Sequence, residues 1–289
     1  MIHPFLRKVF SVFIYIFATI GLVFGMVFVG MQFGLLNIRG SIAERNAFFN
    51  APATSTSGGA VQSNDGAYCV GSATTCAWNE TREWQVVSGG LLKDKSVMHK
   101  VSGETGVPTR LLAALVIPEQ TRFFTSEREV FKRYFEPLKI LGSMSQFSLG
   151  ISGIKPDTAL KVEEYANATS SPFYPGDGYA ELLKYKNGPS DSQRYSRLTD
   201  PKDHYYSYLY TAIYIKEIEA QWKNAGFDIS QRPEILSTLF NLGFVKSKPH
   251  IGATVGGAPI TTGGNVYSYG QLGELFYNSD ELLGELPRK

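Results

Sequence analysis

A thirty-residue stretch near the N-terminus carries no charged side chain, which sets it apart from the rest of the chain. It lies between Lys8 and Arg39 and reads VFSVFIYIFATIGLVFGMVFVGMQFGLLNI. A helix of that length reaches about 45 Å, whereas the hydrocarbon core of a bilayer is about 30 Å thick. The stretch therefore predicts one tilted transmembrane helix over residues 9–38. It exceeds the apolar region of about 7–15 residues that is typical of a secretory signal peptide.

The charges before this span predict its orientation. Arg7 and Lys8 precede it directly, and positively charged flanks stay in the cytoplasm. We therefore expect residues 1–8 to be cytoplasmic and everything after Arg39 to lie outside an inner, cytoplasmic membrane. The triplet Ser41-Ile42-Ala43 has the small residues of a cleavage site, so removal of the segment stays open as an alternative.

The two cysteines fit an oxidising compartment. Cys69 and Cys76 lie in the segment YCVGSATTC, where they could close a small loop as a disulfide. The alternative is two free thiols. No histidine or further cysteine lies nearby, so we predict no metal site.

The chain after the span divides into a linker and a domain. Residues 39–67 are predicted to be a flexible linker, since their second half, FNAPATSTSGGAVQSNDGA, is rich in small and polar residues. Residues 68–289 are long enough for one core. The formal net charge of the chain is only +2, which argues against nucleic acid as a partner.

The domain is predicted to be mainly α, because few segments alternate with period two. Six stretches have helical apolar spacing or a proline suited to a first helical turn. They are residues 108–117, Ser126–Ile140, Asp157–Ala166, the stripe from Tyr208 to Trp222, residues 233–242 and Tyr269–Leu283. The segment IGATVGGAPITTGGN before the last helix predicts a loop, or at most a short hairpin.

A carboxylate follows the most apolar of these stretches. Leu111 to Ile117 run into Pro118 and Glu119, and Pro118 is expected to kink or end the helix there. Burial against apolar side chains disfavours the charged form of a carboxyl group, so Glu119 could keep a proton to donate. The alternative is a structural glutamate that pairs with Arg122.

Two later segments carry a resemblance to known enzymes. The stretch SLGISGIKPDTA resembles the segment G-L-M-Q-x-M-P-x-T-A of lytic transglycosylases and goose-type lysozymes, and it matches at Gly150, Pro156, Thr158 and Ala159. The stretch LFNLGF resembles their A-Y-N-A-G segment, with Asn241 and Gly243 in register. The order of the three motifs, with Glu119 first, is also that of the family.

This resemblance implies a lysozyme-like helical domain that cleaves the MurNAc-GlcNAc bond of peptidoglycan with Glu119 as the catalytic acid and base, without a cofactor. It also implies substrate-binding roles for seven residues: Gln120, Ser148, Gly150, Ile151, Gly153, Phe240 and Asn241. The chain departs from the family at three of these positions. Gly153 replaces a glutamine, Gln120 replaces a serine, and Phe240 is an aromatic residue without a hydroxyl.

The reaction outcome depends on whether a second carboxylate exists. Four glutamates lie close to Glu119 in the sequence, but none belongs to a recognisable motif. They are Glu127, Glu129, Glu136 and Glu163. The resemblance therefore implies a single-glutamate lytic transglycosylase, while hydrolysis of the lysozyme type stays open. Tyr174 and the tyrosines of residues 205–210 are candidates for stacking on sugar rings. The expected partners are peptidoglycan glycan strands and the inner membrane, and the sequence does not identify any envelope protein partner.

A second hypothesis comes from the departures at Gly153 and Gln120. They fit a non-catalytic lysozyme-like domain that binds wall glycan or serves as a scaffold in an envelope complex.

Overall fold

The computed structural model describes residues 13, 15, 17–22, 26, 69–70, 75–125, 150–186, 188–200 and 202–288. Most of the predicted span at 9–38, the linker at 39–67, the predicted helix Ser126–Ile140 and Ser148 lie outside these residues. Within the described part, no helix has both the length and the apolar character needed to cross a membrane.

The described part of the domain is mainly helical, which confirms the predicted class. Its α-helices are α1 (Arg82–Thr105), α2 (Thr109–Thr125), α3 (Pro156–Asn167), α4 (Tyr179–Leu182), α5 (Asp191–Thr199), α6 (Tyr205–Asn224), α7 (Pro233–Leu242) and α8 (Tyr269–Asn278). Short 3-10 turns cover Trp78–Glu80 and Phe244–Lys246. The strands β1 (Pro259–Thr262) and β2 (Asn265–Ser268) form an antiparallel pair.

Local signals explain several helix boundaries. At the start of α1 the Thr81 hydroxyl accepts a hydrogen bond from the Trp84 N–H, and Gly106 ends the helix with a φ of 70°. Pro156 and Pro233 occupy the first turns of α3 and α7, where a missing N–H has no cost. The starts of these two helices were predictable from the prolines.

Helices α2 and α6 form the centre of the core. Every side chain from Leu111 to Ile117 in α2 is at most 4% exposed, and Tyr208 to Ile215 in α6 are equally buried. Helix α2 packs against α1, α7 and α8, while α6 packs against α1, α3 and α7. Helices that are apolar on all sides are stable only when neighbours surround them, which is the arrangement here.

The sequence predicted that Pro118 kinks or ends the helix; the second alternative is wrong, because α2 continues to Thr125 with Pro118 inside it. A proline at this position leaves the Ala114 carbonyl without its helical donor. Helix α8 packs closely against this part of α2. Gly273 packs so closely that an added Cβ would lie 2.9 Å from the Ala114 oxygen, and the Tyr269 hydroxyl donates to the Leu115 carbonyl at 2.6 Å.

The segment before α8 forms the short hairpin that the sequence allowed. Gly263 and Gly264 connect β1 and β2 with φ values of 58° and 74°, which suits a two-residue hairpin turn. The Cys76 N–H donates to the Gly263 carbonyl at 2.9 Å. Cys76 is bonded to Cys69 as a disulfide with Cα atoms 5.8 Å apart, so the bridge sits against the hairpin.

Arg110 at the start of α2 holds the C-terminal segment. Its side chain is fully buried, and its guanidinium donates to five backbone carbonyls, those of Phe276, Tyr277, Ser279, Glu281 and Leu286. Donors from the helix run out in the last turn of α8, and Arg110 supplies additional ones to the Phe276 and Tyr277 carbonyls there. Helix α8 ends at Asn278, whereas the sequence predicted a helix to Leu283.

Glu217 of α6 is a buried acid that no described residue satisfies. Its side chain is inaccessible to solvent, and neither carboxyl oxygen has a hydrogen-bond partner within the described part of the chain. Burial raises the pKa of Glu217 well above its ordinary value of 4.5. The folded protein therefore keeps a proton on Glu217 at pH values where the unfolded chain releases it.

This difference predicts a dependence of stability on pH. Because the folded state binds the extra proton, the contribution of Glu217 to the free energy of unfolding falls as pH rises above about 4.5. Replacing it by glutamine should remove that contribution. We expect Glu217→Gln to lose less stability than the parent between pH 5 and pH 8, measured by urea unfolding of the full chain in detergent. Equal losses in the two proteins would show that Glu217 does not titrate in this way.

Candidate active site

Glu119 lies in the second half of α2 and is almost completely enclosed, with 3% of the residue exposed. Its carboxylate pairs with Arg122, one turn later on the same helix. The Arg122 Nη2 atom donates to both carboxylate oxygens, at 2.8 Å to Oε1 and 2.7 Å to Oε2. The contact that the sequence offered as the structural alternative for Glu119 is therefore present.

The turn before α3 packs directly on this carboxylate. Gly153 has a φ of 65°, and a Cβ added there would lie closer than 3.0 Å to the Glu119 Oε1, Cδ and Cγ atoms. No side chain larger than hydrogen fits without moving Glu119. A glutamine side chain, which the resembled segment has at this position, would collide with Glu119 as it is placed here.

Gly150 contacts different residues from Gly153. It also has a positive φ, of 64°, but a Cβ there would collide with the Leu198 carbonyl and the Ser207 hydroxyl. Gly150, for which the resemblance implied a substrate-binding role, thus packs against α5 and α6. For Gly153, the group that the backbone approaches in this structure is the Glu119 carboxylate.

Helix α7 contributes the other wall. Phe240 is 7% exposed, and the Asn241 side-chain oxygen accepts a hydrogen bond from the Ala258 N–H at 2.9 Å. This bond ties the end of α7 to the segment before β1. Gly257 makes room for the contact, since a Cβ there would lie 3.2 Å from the Asn241 Oδ1 atom.

These groups surround one open depression of about 340 Å³, counting the solvent space at its mouth. Glu119, Gly153, Phe240 and Asn241 line it. They belong to three segments far apart in the chain, and α2, the turn before α3, and α7 bring them together.

Three other predicted site residues do not line the depression, namely Gln120, Gly150 and Ile151. Gln120 points to the neighbouring turn, where its amide nitrogen donates to the Ile151 carbonyl. This contact gives Gln120 and Ile151 a role in fixing the turn that carries Gly153. Gly150 lies away from the depression, as described above, and Ser148 lies outside the described residues.

Sequence reasoning missed several lining residues. Lys155, Tyr214 and Tyr269 line the depression, and Thr158, interpreted from its sequence only as part of a helix start, lines it too. Tyr214 belongs to the buried stripe of α6, so its spacing indicated core. Tyr269 follows the hairpin, and no local pattern marks it. For Lys155 the sequence did offer a signal, since this lysine occupies a position at which the resembled segment has methionine.

Glu163 does not have the properties of a second catalytic acid. It receives hydrogen bonds from Arg194 at 2.8 and 2.7 Å, from Tyr185 at 2.7 Å, and from Tyr210. Burial would raise the pKa of Glu163, but the bonds from Arg194, Tyr210 and Tyr185 outweigh it and lower the pKa. Glu163 is held as a structural anion. The other candidates, Glu127, Glu129 and Glu136, lie outside the described residues.

The tyrosines proposed for sugar stacking also lie elsewhere. Tyr208 and Tyr210 are almost fully buried in α6. The Tyr205 hydroxyl donates to Glu104 at 2.7 Å, and the Tyr174 hydroxyl donates to Asp177 at 2.5 Å. None of these four tyrosines lines the depression, and neither does Tyr206, the fifth candidate.

Within the described ranges, no group of three or more His, Cys, Asp or Glu residues is arranged to hold a metal ion. No protein-family model, curated protein or solved structure matches the chain.

The contact between Gly153 and Glu119 predicts the effect of adding one methyl group. Gly153→Ala combines left-handed strain with a collision, whereas Gly106→Ala, at a similar φ of 70°, meets no atom within 4 Å. We expect the Gly106 variant to lose about 1 kcal/mol of unfolding free energy from strain. The Gly153 variant should lose at least about 1 kcal/mol more, because Glu119 must move.

Urea unfolding of both variants and the parent measures this difference. If the two alanine variants were equally stable, the proposed contact between Gly153 and the Glu119 side chain would be contradicted.

Proposed function

We propose that this protein is a membrane-anchored murein lytic transglycosylase with a lysozyme-like helical domain and Glu119 as its single acid and base. The observation that carries the proposal is the convergence of Glu119, Gly153 and Asn241 on one depression. These residues come from the three motifs that resemble the family, and they are separated by more than thirty residues along the chain.

The chemistry requires one carboxyl group that changes protonation state twice. Glu119 donates its proton to the glycosidic oxygen, the bond from that oxygen to C1 of the muramic acid breaks, and the departing sugar keeps the proton as its 4-hydroxyl. The Glu119 carboxylate then takes the proton of the 6-hydroxyl while O6 bonds to C1. The product is a 1,6-anhydro ring, Glu119 is protonated again, and no water is consumed.

The composition of the depression supports the use of one carboxylate. Among the described residues that line it, Glu119 is the only carboxylic acid, and the other polar groups are the side chains of Lys155, Thr158, Tyr214, Asn241, Tyr269 and Ser152. Glycosidases that activate water usually place a second carboxylate about 5–10 Å from the first. The lining therefore favours internal ring closure over hydrolysis of the lysozyme type.

The N-terminal segment supports attachment to the inner membrane. Its uncharged length suits one span, and Arg7 and Lys8 favour a cytoplasmic N-terminus. The described residues 13, 15, 17–22 and 26 are helical, and large apolar side chains such as Phe17 and Leu22 are more than half exposed. In this proposal the linker gives the domain access to peptidoglycan strands outside the membrane.

One observation favours the second candidate, a non-catalytic glycan-binding or scaffold domain. The Glu119 carboxylate is paired through both oxygens with Arg122, and only 5% of the glutamate side chain is exposed. A glutamate that never leaves this pair would contribute to the fold and not to chemistry. The two candidates differ in one measurable property, the release of fragments from peptidoglycan.

The test is Glu119→Gln in the full chain, compared with the parent and with Glu164→Gln. Glu164 lies on the exposed side of α3, so its replacement removes the same charge without touching the depression. We expect Glu119→Gln to release soluble fragments from purified peptidoglycan about 10²–10⁴ times more slowly than the parent, since the transferable proton is lost. The control should retain the parent rate.

The stability of both variants is measured in parallel to confirm folding. Glu119→Gln should lose about 1–3 kcal/mol, because a neutral amide replaces the anion that faces buried Arg122. A folded Glu119→Gln protein that cleaves at the parent rate would refute the role of Glu119. A parent protein that binds glycan without cleaving it would favour the scaffold.

A further inference from the structure

We propose that the Cys69–Cys76 disulfide controls one wall of the depression, so that a dithiol reductant lowers the activity of the site by releasing the β1–β2 hairpin. This inference rests on the proposed function, because it concerns the regulation of the same site. The disulfide and the depression contact opposite ends of the hairpin.

The closed end of the hairpin packs on Cys76. The Cys76 N–H donates to the Gly263 carbonyl at 2.9 Å, and the Asn265 side-chain amide donates to the Cys76 carbonyl at 2.8 Å. A Cβ added to Gly263 would lie 2.6 Å from the Cys76 oxygen and 3.0 Å from the Cys76 sulfur. The hairpin turn is therefore in direct contact with the disulfide.

The other half of the disulfide is attached to the start of α1. Cys69 forms an antiparallel bridge with Thr81, the residue that caps α1, and the Val70 N–H donates to the Glu80 carbonyl at 2.9 Å. Only 1% of Cys69 is exposed. The disulfide thus joins a buried residue beside α1 to the residue on which the hairpin turn packs.

The open end of the hairpin contacts the depression. Strand β1 begins directly after Ala258, whose N–H donates to the Asn241 side-chain oxygen at 2.9 Å. Strand β2 ends directly before Tyr269, whose N–H donates to the Ala258 carbonyl at 3.0 Å. Asn241 and Tyr269 both line the depression. A shift of the hairpin is therefore transmitted to two lining residues.

The hairpin is short and depends on its neighbours for stability. Each strand has four residues, and an isolated two-stranded hairpin is only marginally stable in water. Packing of β1 on α2 and the contacts with Cys76 both support it. Because a disulfide restricts the separation of the segments that it joins, we expect its loss to let the hairpin open locally while the helical core stays folded.

The reduction has a single target in this chain. Cys69 and Cys76 are its only cysteines, and Cys76 is the partly exposed one. One thiolate of a dithiol attacks the Cys76 sulfur, the S–S bond breaks, and Cys69 leaves as a thiolate that takes up a proton. The second sulfur of the dithiol then displaces Cys76. The dithiol is oxidised by two electrons, and its two protons end on the cysteines.

This dependence suits an enzyme that is made inside the cell and acts on the wall outside. Cysteines are kept reduced in the cytoplasm and form disulfides in extracytoplasmic compartments. In the proposed topology, the domain acquires its disulfide only after it has crossed the inner membrane. The site is then complete only where peptidoglycan is present.

The test compares the oxidised full chain in detergent micelles with the same protein reduced by dithiothreitol. Hydrogen exchange, followed by mass spectrometry, measures hairpin opening, and release of soluble fragments measures cleavage of purified peptidoglycan. We expect reduction to speed exchange in residues 256–268 at least about tenfold and to leave residues 208–218 of α6 unchanged. Cleavage should fall about tenfold or more and return on reoxidation. A double variant, Cys69→Ser with Cys76→Ser, should behave as the reduced parent and not respond to dithiothreitol.

Two asparagine variants test the same contact with the disulfide intact. Asn265→Ala removes the side-chain donor to the Cys76 carbonyl, so exchange in residues 256–262 should become about threefold faster or more. Asn224→Ala is the matched control, because its exposed amide donates to the Pro172 carbonyl and does not line the depression. The control should exchange and cleave as the parent does.

The exchange measurement separates this inference from the proposed function. Faster exchange of residues 256–262 in the reduced parent, absent in the control, supports the inference even if no protein cleaves glycan, and that lack of cleavage would refute only the transglycosylase. Unchanged exchange after reduction overturns the inference. Cleavage by the reduced protein at the oxidised rate also overturns it and leaves the transglycosylase standing. Should reduction unfold the whole chain, faster exchange in Asn265→Ala supports the inference, and exchange equal to that of the control overturns it.

Discussion

The contact between the Gly153 backbone and the Glu119 carboxylate constrains the rest of this site. A glycine with positive φ brings the turn before α3 onto the carboxylate, and Arg122 holds the same carboxylate through both oxygens. With neighbours at these positions, Glu119 has one orientation toward the depression. General acid and base catalysis requires a group held in this way, because proton transfer depends on a short and well-aligned approach to the substrate.

Glu119 can occupy this position because α2 does not end at Pro118. A different part of the chain packs on this segment of α2, where the Tyr269 hydroxyl donates to the Leu115 carbonyl. Arg110 at the other end of α2 binds carbonyls of the last turn of α8 and of the residue after it, so α2 and α8 are joined at both ends of their contact. The core helix, the C-terminal segment and the site are thus parts of one packed unit.

The sequence predicted the features that depend on local chemistry. Prolines indicated the starts of α3 and α7, paired glycines allowed the β1–β2 hairpin, and the motifs singled out Glu119 and Asn241. The sequence did not predict features that depend on distant partners. The donor to the Leu115 carbonyl of α2 is Tyr269 of α8, and the neighbours of Gly150 come from α5 and α6. Lys155 lines the depression together with residues of α2, α6 and α7. No spacing within one segment contains that information.

The most direct test of the account is the fate of the glycan in water labelled with ¹⁸O. The full chain is incubated with purified peptidoglycan, and the released fragments are examined by mass spectrometry. If Glu119 uses the 6-hydroxyl of the sugar as the nucleophile, every new muramic acid end is an anhydro ring, one water lighter than a hydrolysed end and free of ¹⁸O. Fragments whose new ends carry ¹⁸O would contradict ring closure, and peptidoglycan left intact by the folded protein would contradict the assignment of Glu119 as a catalytic acid.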